Sequence, residues 1–339
     1  MSLALIAMVA PSAANAAAPP AGNTTAYRLV TGLEGGAGST VGPDGALYVT
    51  EAAAGRITRV DPSTGATTTY ASGLPSSIIG LGGAMDVAFL GRTAYVLVTL
   101  VGPDVGGSDV VGIYRVDGPT SFTVVADIGA FSINNPPATD FFVPSGVQYA
   151  LATYRGGFLV SDGHHDRVLR VARDGQISVL RAFANIVPTG LEVRGRTISM
   201  AEAGPVPHLP ETGKVVAFRP GSTTVREVAS GSPLLVDVEF GRGHRLYALS
   251  QGDFQPGNPE GSPAQPNTGA LVKVDRDGHF TVVIDGLNQP TSLELIGKTA
   301  YVVTLGGRSG RSRASEDRPA TPLAGRRLFA PTAIDQLLA

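Results

Sequence analysis

Two adjacent histidines, His164 and His165, are the residues of this sequence best suited to metal or acid–base chemistry. They stand in the stretch SDGHHDRVLRV (161–171), with an acid on either flank. Zinc would need a third and a fourth ligand, and neighbours in an extended strand point to opposite sides. We therefore predict that the pair forms the exposed polar tip of a hairpin between strands at 158–161 and 168–171. A metal or catalytic site, with His208 as a further ligand, is the alternative.

Four carboxylates recur at corresponding points, where an apolar strand ends and the chain enters a loop. They are Glu51, Asp162, Glu202 and Asp253. Carboxylates converging on one point could bind a hard cation such as calcium or orient a polar ligand, whereas isolated ones are ordinary turn residues. With His164 and His165 they are our candidate ligand-binding residues. No catalytic residue is assigned, and calcium is the one cofactor considered.

A repeat organises the elements that would position these side chains. GPDGALYVTEAAAGRITRVDP (42–62) gives a turn, an apolar strand, a polar loop, a second strand and another turn, and YRGGFLVSDGHHDRVLRVARDGQISVL (154–180) repeats that order. Further strands, such as those in GLGGAMDVAF and LLVDVEF, stand upstream of each unit. Four strands every 40 to 60 residues or so are typical of a β-propeller blade.

We predict an all-β fold, a six-bladed β-propeller with four-stranded blades. Counting apolar second strands gives six, at Leu47, Tyr95, Phe158, Ile198, Tyr247 and Tyr301. The blades are placed near 34–75, 80–129, 143–183, 187–231, 234–287 and 289–336, within one domain at 25–336. In the last blade we predict the third strand at 326–334 and, as the outer strand that closes the ring, the N-terminal segment 26–33.

The long connections are expected on one face, which we call the loop face, around the mouth of the central channel. They are 99–112, 127–146, 201–213, 250–269 and 305–325. Loops on a rigid scaffold commonly carry function, so we predict that a ligand binds at this mouth. The arginine-rich run RSGRSRASEDR (308–318) is interpreted as a solvated loop.

Composition limits the possible partners and the compartment. With 26 basic and 28 acidic residues among 339, the formal charge of −2 provides no overall field for nucleic acid, and no later segment resembles a membrane span. The apolar run at 3–10 followed by small residues predicts a secretory signal peptide at 1–18, although no Lys or Arg precedes the run. We expect a secreted or extracytoplasmic monomer.

The repeat units quoted above, the paired VPSG and VPTG segments, and DVEFGRGHRLYALSQ with GALVKVDRDG resemble the ScyD/ScyE family of exported bacterial propellers, over about residues 25–305. The resemblance implies a six-bladed propeller of the NHL or gluconolactonase-like type, and most members of that family have no assigned activity. We therefore predict a recognition or scaffold protein for a small molecule, a glycan or a protein. The alternative is a cation-dependent hydrolase, lactonase or lyase with the same channel mouth as its active site.

Overall fold

The computed structural model describes residues 25–139, 141–306 and 308–313. The predicted signal peptide at 1–18 and the predicted strand at 326–334 lie outside these residues. The chain is an all-β propeller in which every sheet of the described part has four strands. Within it, the first strand of each of these sheets packs against the first strands of its two neighbours, so these inner strands surround a central channel.

Five blades are each built from four consecutive antiparallel strands, ordered from the channel outward. The N-terminal strand β1 (Thr25–Thr31) precedes them. Blade one has β2 (Gly36–Val41), β3 (Leu47–Glu51), β4 (Arg56–Val60) and β5 (Thr67–Ser72). Blade two has β6 (Gly83–Leu90), β7 (Thr93–Thr99), β8 (Gly112–Gly118) and β9 (Ser121–Asp127).

The helix α1 (Ile128–Asn134) follows, and then the next two blades. Blade three has β10 (Gln148–Tyr154), β11 (Gly157–Asp162), β12 (Arg167–Val171) and β13 (Ile177–Ala182). Blade four has β14 (Pro188–Arg194), β15 (Thr197–Glu202), β16 (Lys214–Phe218) and β17 (Val225–Ser230).

The fifth blade and the remaining sheet complete the described strands. Blade five has β18 (Leu235–Phe240), β19 (Leu246–Ser250), β20 (Gly269–Val274) and β21 (Phe280–Leu287). The last sheet has β22 (Pro290–Ile296), β23 (Thr299–Thr304) and β24 (Arg308–Arg313), with β1 as its fourth strand. Two short 3-10 turns, Pro103–Val105 and Arg242–His244, lie in connections.

This last sheet corrects the predicted fold. We predicted a ring of six four-stranded blades with 326–334 and 26–33 in the last one, whereas five blades are complete and the sixth sheet is a partial, composite one. Its third position is taken by β24, from the arginine-rich run that we had interpreted as a loop. Strand β1 joins the same sheet as β22 and β23 but pairs with β24, with an irregular register between Arg28 and Val30. Residues 308–313 thus form a strand because their backbone pairs with β1 and β23, although their side chains are polar and basic.

Apolar layers between neighbouring sheets form the core. Tyr48 and Ile57 of blade one pack with Val96 of blade two, and Leu97 of blade two packs with Phe158 of blade three. Similar layers continue between the later sheets and between the last sheet and blade one. The alternation of inward and outward residues in each strand supplies these layers.

The sequence did not reveal α1, which starts the connection from blade two to blade three. Asp127 caps it, because its carboxylate accepts a hydrogen bond from the amide of Ala130 at 2.7 Å. Among the described residues, no helix is long and apolar enough to cross a membrane. The helix instead supports the loop face, where its Ser132 contacts the candidate site.

Candidate functional site

Glu51 is fully buried at the end of β3 and is neutralised inside its own blade. Its carboxylate accepts hydrogen bonds from Arg56 at 2.7 and 2.8 Å, from the hydroxyl of Thr58, and from the amide of Glu34 at 2.6 Å. Burial would raise the pKa of Glu51, but the hydrogen bonds from Arg56 and Thr58 outweigh it and hold the pKa below its ordinary value. The Glu51 carboxylate is therefore bound to Arg56 and is not free to bind a ligand.

Asp162 occupies the same place in blade three and has the same kind of partner. It accepts hydrogen bonds from Arg167 Nε at 2.7 Å and from the side-chain amide of Gln148 at 2.8 Å. Nδ1 of His165 lies 3.1 Å from the Asp162 carboxylate and 3.2 Å from Arg167 Nη2, which also donates to Ser132 of α1. The cluster ties blade three to the helix that enters it.

His164 is buried on the other side of this turn. Its ring stacks on Phe141, with centroids 4.6 Å apart, and Nε2 lies 3.0 Å from the hydroxyl of Tyr149. Nδ1 lies 2.7 Å from the carboxylate of Glu260, which belongs to blade five. The predicted hairpin of β11 and β12 is confirmed, with residue 158 opposite 171 and 161 opposite 168. The prediction of an exposed tip is wrong, because His164 and His165 are only 6% and 2% exposed.

Glu260 belongs to the long connection between β19 and β20, residues 251–268, which we call the strap. Ala264 fixes it: its amide donates to Gln251 at 3.0 Å, and its carbonyl accepts from Gln289 at 2.6 Å. A side chain at Gly261 would contact Leu81 of the connection into blade two. Blades two and five are three sheets apart in both directions, so the strap crosses the channel mouth on the loop face.

Glu202 ends β15 and has no comparable partner. It is 5% exposed and stands opposite Lys214, whose ammonium instead binds Glu227 at 2.7 Å. Burial raises the pKa of Glu202 to about 7, with only partial compensation by Lys214. Asp253, in contrast, is exposed at the start of the strap. The two therefore lie in different surroundings, although both follow second strands.

His208 lies beside the strap in the connection between β15 and β16. Its Nδ1 is 2.7 Å from the carbonyl of Gly204, and its ring meets Phe254 of the strap edge to face at 5.2 Å. Burial lowers the pKa of His208, so the neutral ring is favoured. His208 therefore helps to seat the strap.

The candidate residues do not assemble a cation site. In the described part of the chain, no group of three or more His, Cys, Asp or Glu side chains is arranged to hold a metal ion. The carboxylates of Glu51 and Asp162 are directed at Arg56 and Arg167, which leaves the oxygen ligands that calcium needs already engaged. The six residues predicted as ligand-binding remain a prediction, and a calcium centre of the lactonase kind does not fit them.

Two half-buried acids of the channel wall, Asp86 and Asp237, were not among the predicted site residues. Asp86 of blade two accepts from the amide of Leu151 in blade three at 2.7 Å, and Asp237 of blade five accepts from Leu293 in the next sheet at the same distance. Burial raises the pKa of both, that of Asp237 to about 6. The signal was present as DVAF and DVEF, at equivalent points three blades apart.

Three glutamates line the channel one step nearer the opposite face: Glu192, Glu239 and Glu294. They stand at matching positions of β14, β18 and β22. Burial raises the pKa of each, and nearby carboxylates add to the rise; that of Glu192 reaches about 7. At neutral pH the channel therefore holds fewer negative charges than its composition implies.

The loop face also presents apolar side chains to solvent. Five large ones are exposed in its connections, and we call them the apolar rim: Ile78, Ile133, Phe142, Val206 and Leu209. The ring centroids of Phe142 and Phe141 are 4.7 Å apart, which joins this residue of the rim to the stacked ring of His164. A cavity of about 210 Å³ lies beside it, between His165, Arg167 and Phe183. The arrangement can bind an apolar or mixed surface.

Comparisons with known proteins give the fold and no more. No family model matches the sequence, and no curated protein is similar to it. A gluconolactonase from Xanthomonas campestris is 12% identical, with a TM-score of 0.59 over 86% of this chain and 91% of that one. The aldose sugar dehydrogenase of Streptomyces coelicolor is 16% identical, with a TM-score of 0.54 over 87% and 99%. Virginiamycin B lyase from Staphylococcus aureus is 12% identical, with a TM-score of 0.51 over 85% and 98%.

Proposed function

We propose that this protein is a recognition module that binds its partner through the apolar rim of the loop face. The partner is a protein or another molecule with an apolar surface. Export of the protein and its place in the ScyD/ScyE family are part of the same proposal, since they rest on sequence features alone.

The observation that carries the proposal is the exposure of the rim. Phe142 is 61% exposed and Leu209 is 45% exposed, and both belong to connections of the loop face. Exposed apolar side chains gathered on one face are typical of interaction sites, whereas single ones scattered over a surface are not. The strap lies on the same face and contacts His164 through Glu260 and His208 through Phe254.

A cation-dependent hydrolase is less well supported by the same residues. Such an enzyme needs ligands that are free to bind the metal, and Glu51 and Asp162 are already bound to arginines. A base in the channel would have to be reached past the strap, whose Ala264 is buried against Val187 and Leu234. The recognition function needs neither access nor a metal.

The uncharged fluorescent dye Nile red is a suitable probe of the rim, because it carries no charge that would draw it to arginine or lysine. We expect saturable binding to the wild type that is weakened about tenfold or more by Phe142→Ser with Leu209→Ser, because both side chains are removed from one surface. The matched control is Val124→Ser with Val282→Ser, which changes two exposed valines of outer strands.

The control variant should bind the dye as the wild type does. Equal weakening in both variants would mean that the dye follows total exposed apolar surface, and unchanged binding in the rim variant would place the interaction elsewhere. Either result would overturn the proposal. Far-ultraviolet circular dichroism of each variant establishes that the fold is retained.

A further inference from the structure

The face opposite the loops contains a cleft between blades four and five. Its volume is about 720 Å³, and its walls come from the ends of β15, β17, β18 and β20 with the turn before β19. This size falls within the range of about 300–1,000 Å³ that is usual for ligand sites. The cleft is therefore large enough for several linked rings of a small polymer.

The cleft is strongly basic, although the whole chain carries a formal charge of −2. Four cationic side chains line it: Arg226, Arg245, Lys273 and Arg276. In the described part of the chain, none of them forms an ion pair. Their charges are therefore available to a ligand. They do not show in the net charge of the chain, because acidic residues elsewhere balance them.

The one acid that lines the cleft, Asp275, offsets at most one of these four charges. Its carboxylate accepts hydrogen bonds from the backbone amides of Asp277 and His279, both at 2.9 Å, and so belongs to its own turn. Beside it, Arg194 donates to Nε2 of His244 at 2.8 Å and lies over the ring of Phe240. A fifth cationic side chain, and the fourth guanidinium, therefore borders the cleft.

A hydroxyl inside the cleft points to a ligand with hydrogen-bonding groups. Ser199 lines the cleft and is 2% exposed, yet its hydroxyl makes no hydrogen bond to any described residue. The oxygen of Ser199 keeps some contact with solvent, so it can exchange hydrogen bonds with a ligand in the cleft. Phe240 adds an apolar wall on which a sugar ring can pack.

We propose that this cleft binds an anionic sugar chain, a short uronate or sulfated oligosaccharide. Cationic side chains match its carboxylates or sulfates, Ser199 matches its hydroxyls, and the aromatic wall matches the apolar side of a sugar ring. The cleft and the apolar rim lie on opposite faces, so the cleft is a second binding surface. Each of the two proposals can be tested without the other.

Isothermal titration calorimetry with defined tetrasaccharides tests the proposal. The probes are tetragalacturonate, a heparin-derived tetrasaccharide and neutral maltotetraose, each at low and at physiological salt. We expect one site per chain for an anionic probe, binding that weakens with salt, and no binding of maltotetraose. The carboxylated and the sulfated probe distinguish the two sources of negative charge.

Two variants locate the binding. The triple change Arg226→Gln, Arg245→Gln and Arg276→Gln should weaken it roughly a hundredfold, at about fivefold for each charge removed. Ser199→Ala changes no charge and should weaken it about fivefold through the lost hydrogen bond.

A matched triple variant tests whether the effect is specific. It carries Arg92→Gln, Arg155→Gln and Arg173→Gln, three exposed arginines in turns of blades two and three on the same face. It should bind as the wild type does.

Equal loss of binding in both triple variants would mean that the sugar follows the overall positive charge of this face. The absence of binding by both anionic probes would mean that the cleft is not a sugar site. Tighter binding of duplex DNA or of anionic lipid vesicles than of either tetrasaccharide would assign the cleft to another class of partner. Each of these results overturns the proposal.

Discussion

Replacing Glu202 by Gln should stabilise the protein in a strongly pH-dependent way. Burial raises the pKa of this carboxyl from 4.5 to about 7, a shift of roughly 2.5 units, and each unit corresponds to about 1.4 kcal/mol. Between these two values the folded protein keeps a proton that the unfolded chain has lost, so the free energy of unfolding falls as the pH rises. The wild type therefore loses up to about 3 kcal/mol between pH 4.5 and pH 8, and the Gln variant does not.

Urea unfolding of both proteins at several pH values, at constant salt, measures this difference. Glu211→Gln is the matched control, since Glu211 is an exposed glutamate of the same connection. The stability difference between Glu202→Gln and the wild type should grow toward high pH, while the control should show no such growth. A difference that is the same at every pH would mean that the Glu202 carboxyl is hydrated in the folded protein and that its pKa is not raised.

Three further changes test the contacts of the loop face and the channel. Glu51→Gln should lower the free energy of unfolding by about 1–3 kcal/mol at neutral pH, because it removes the charge that binds Arg56, and unchanged urea stability would contradict this. Glu260→Gln should weaken the contact with His164 and speed proteolysis of the strap several-fold, whereas an unchanged cleavage rate would mean that the strap is fixed without this contact. Asp86→Ala should cost about 2 kcal/mol by leaving two backbone amides without their acceptor, and an unchanged midpoint of urea unfolding would refute that role.

Local patterns explain what the sequence could predict. The strands of blade three follow from apolar runs separated by polar turns, and the hairpin of β11 and β12 has the predicted pairing. The burial of His164 could not be predicted in the same way, because its neighbours Phe141 and Glu260 come from other parts of the chain. Local polarity reports on turns, whereas burial at a loop depends on which other connections cover it.

Contacts between distant parts of the chain also explain why the third strand of the last sheet was wrongly predicted and why the basic cleft was not predicted. Strand β24 was interpreted as a solvated loop because its composition is basic, yet it pairs with β1 and β23. The cleft between blades four and five was hidden because Arg226, Arg245 and Arg276 are far apart in sequence and balanced by acids elsewhere. The channel acids, in contrast, could have been found by aligning DVAF with DVEF.

Calorimetric titration with calcium at neutral pH tests most directly whether the loop face binds through its apolar rim or through a cation. We expect no binding heat beyond dilution, because the carboxylates of Glu51 and Asp162 are held by Arg56 and Arg167. Binding of one calcium ion per chain, lost when Glu51 and Glu202 are both changed to Gln, would contradict it. That result would place a cation at the channel mouth and favour the hydrolase or lyase over the recognition module.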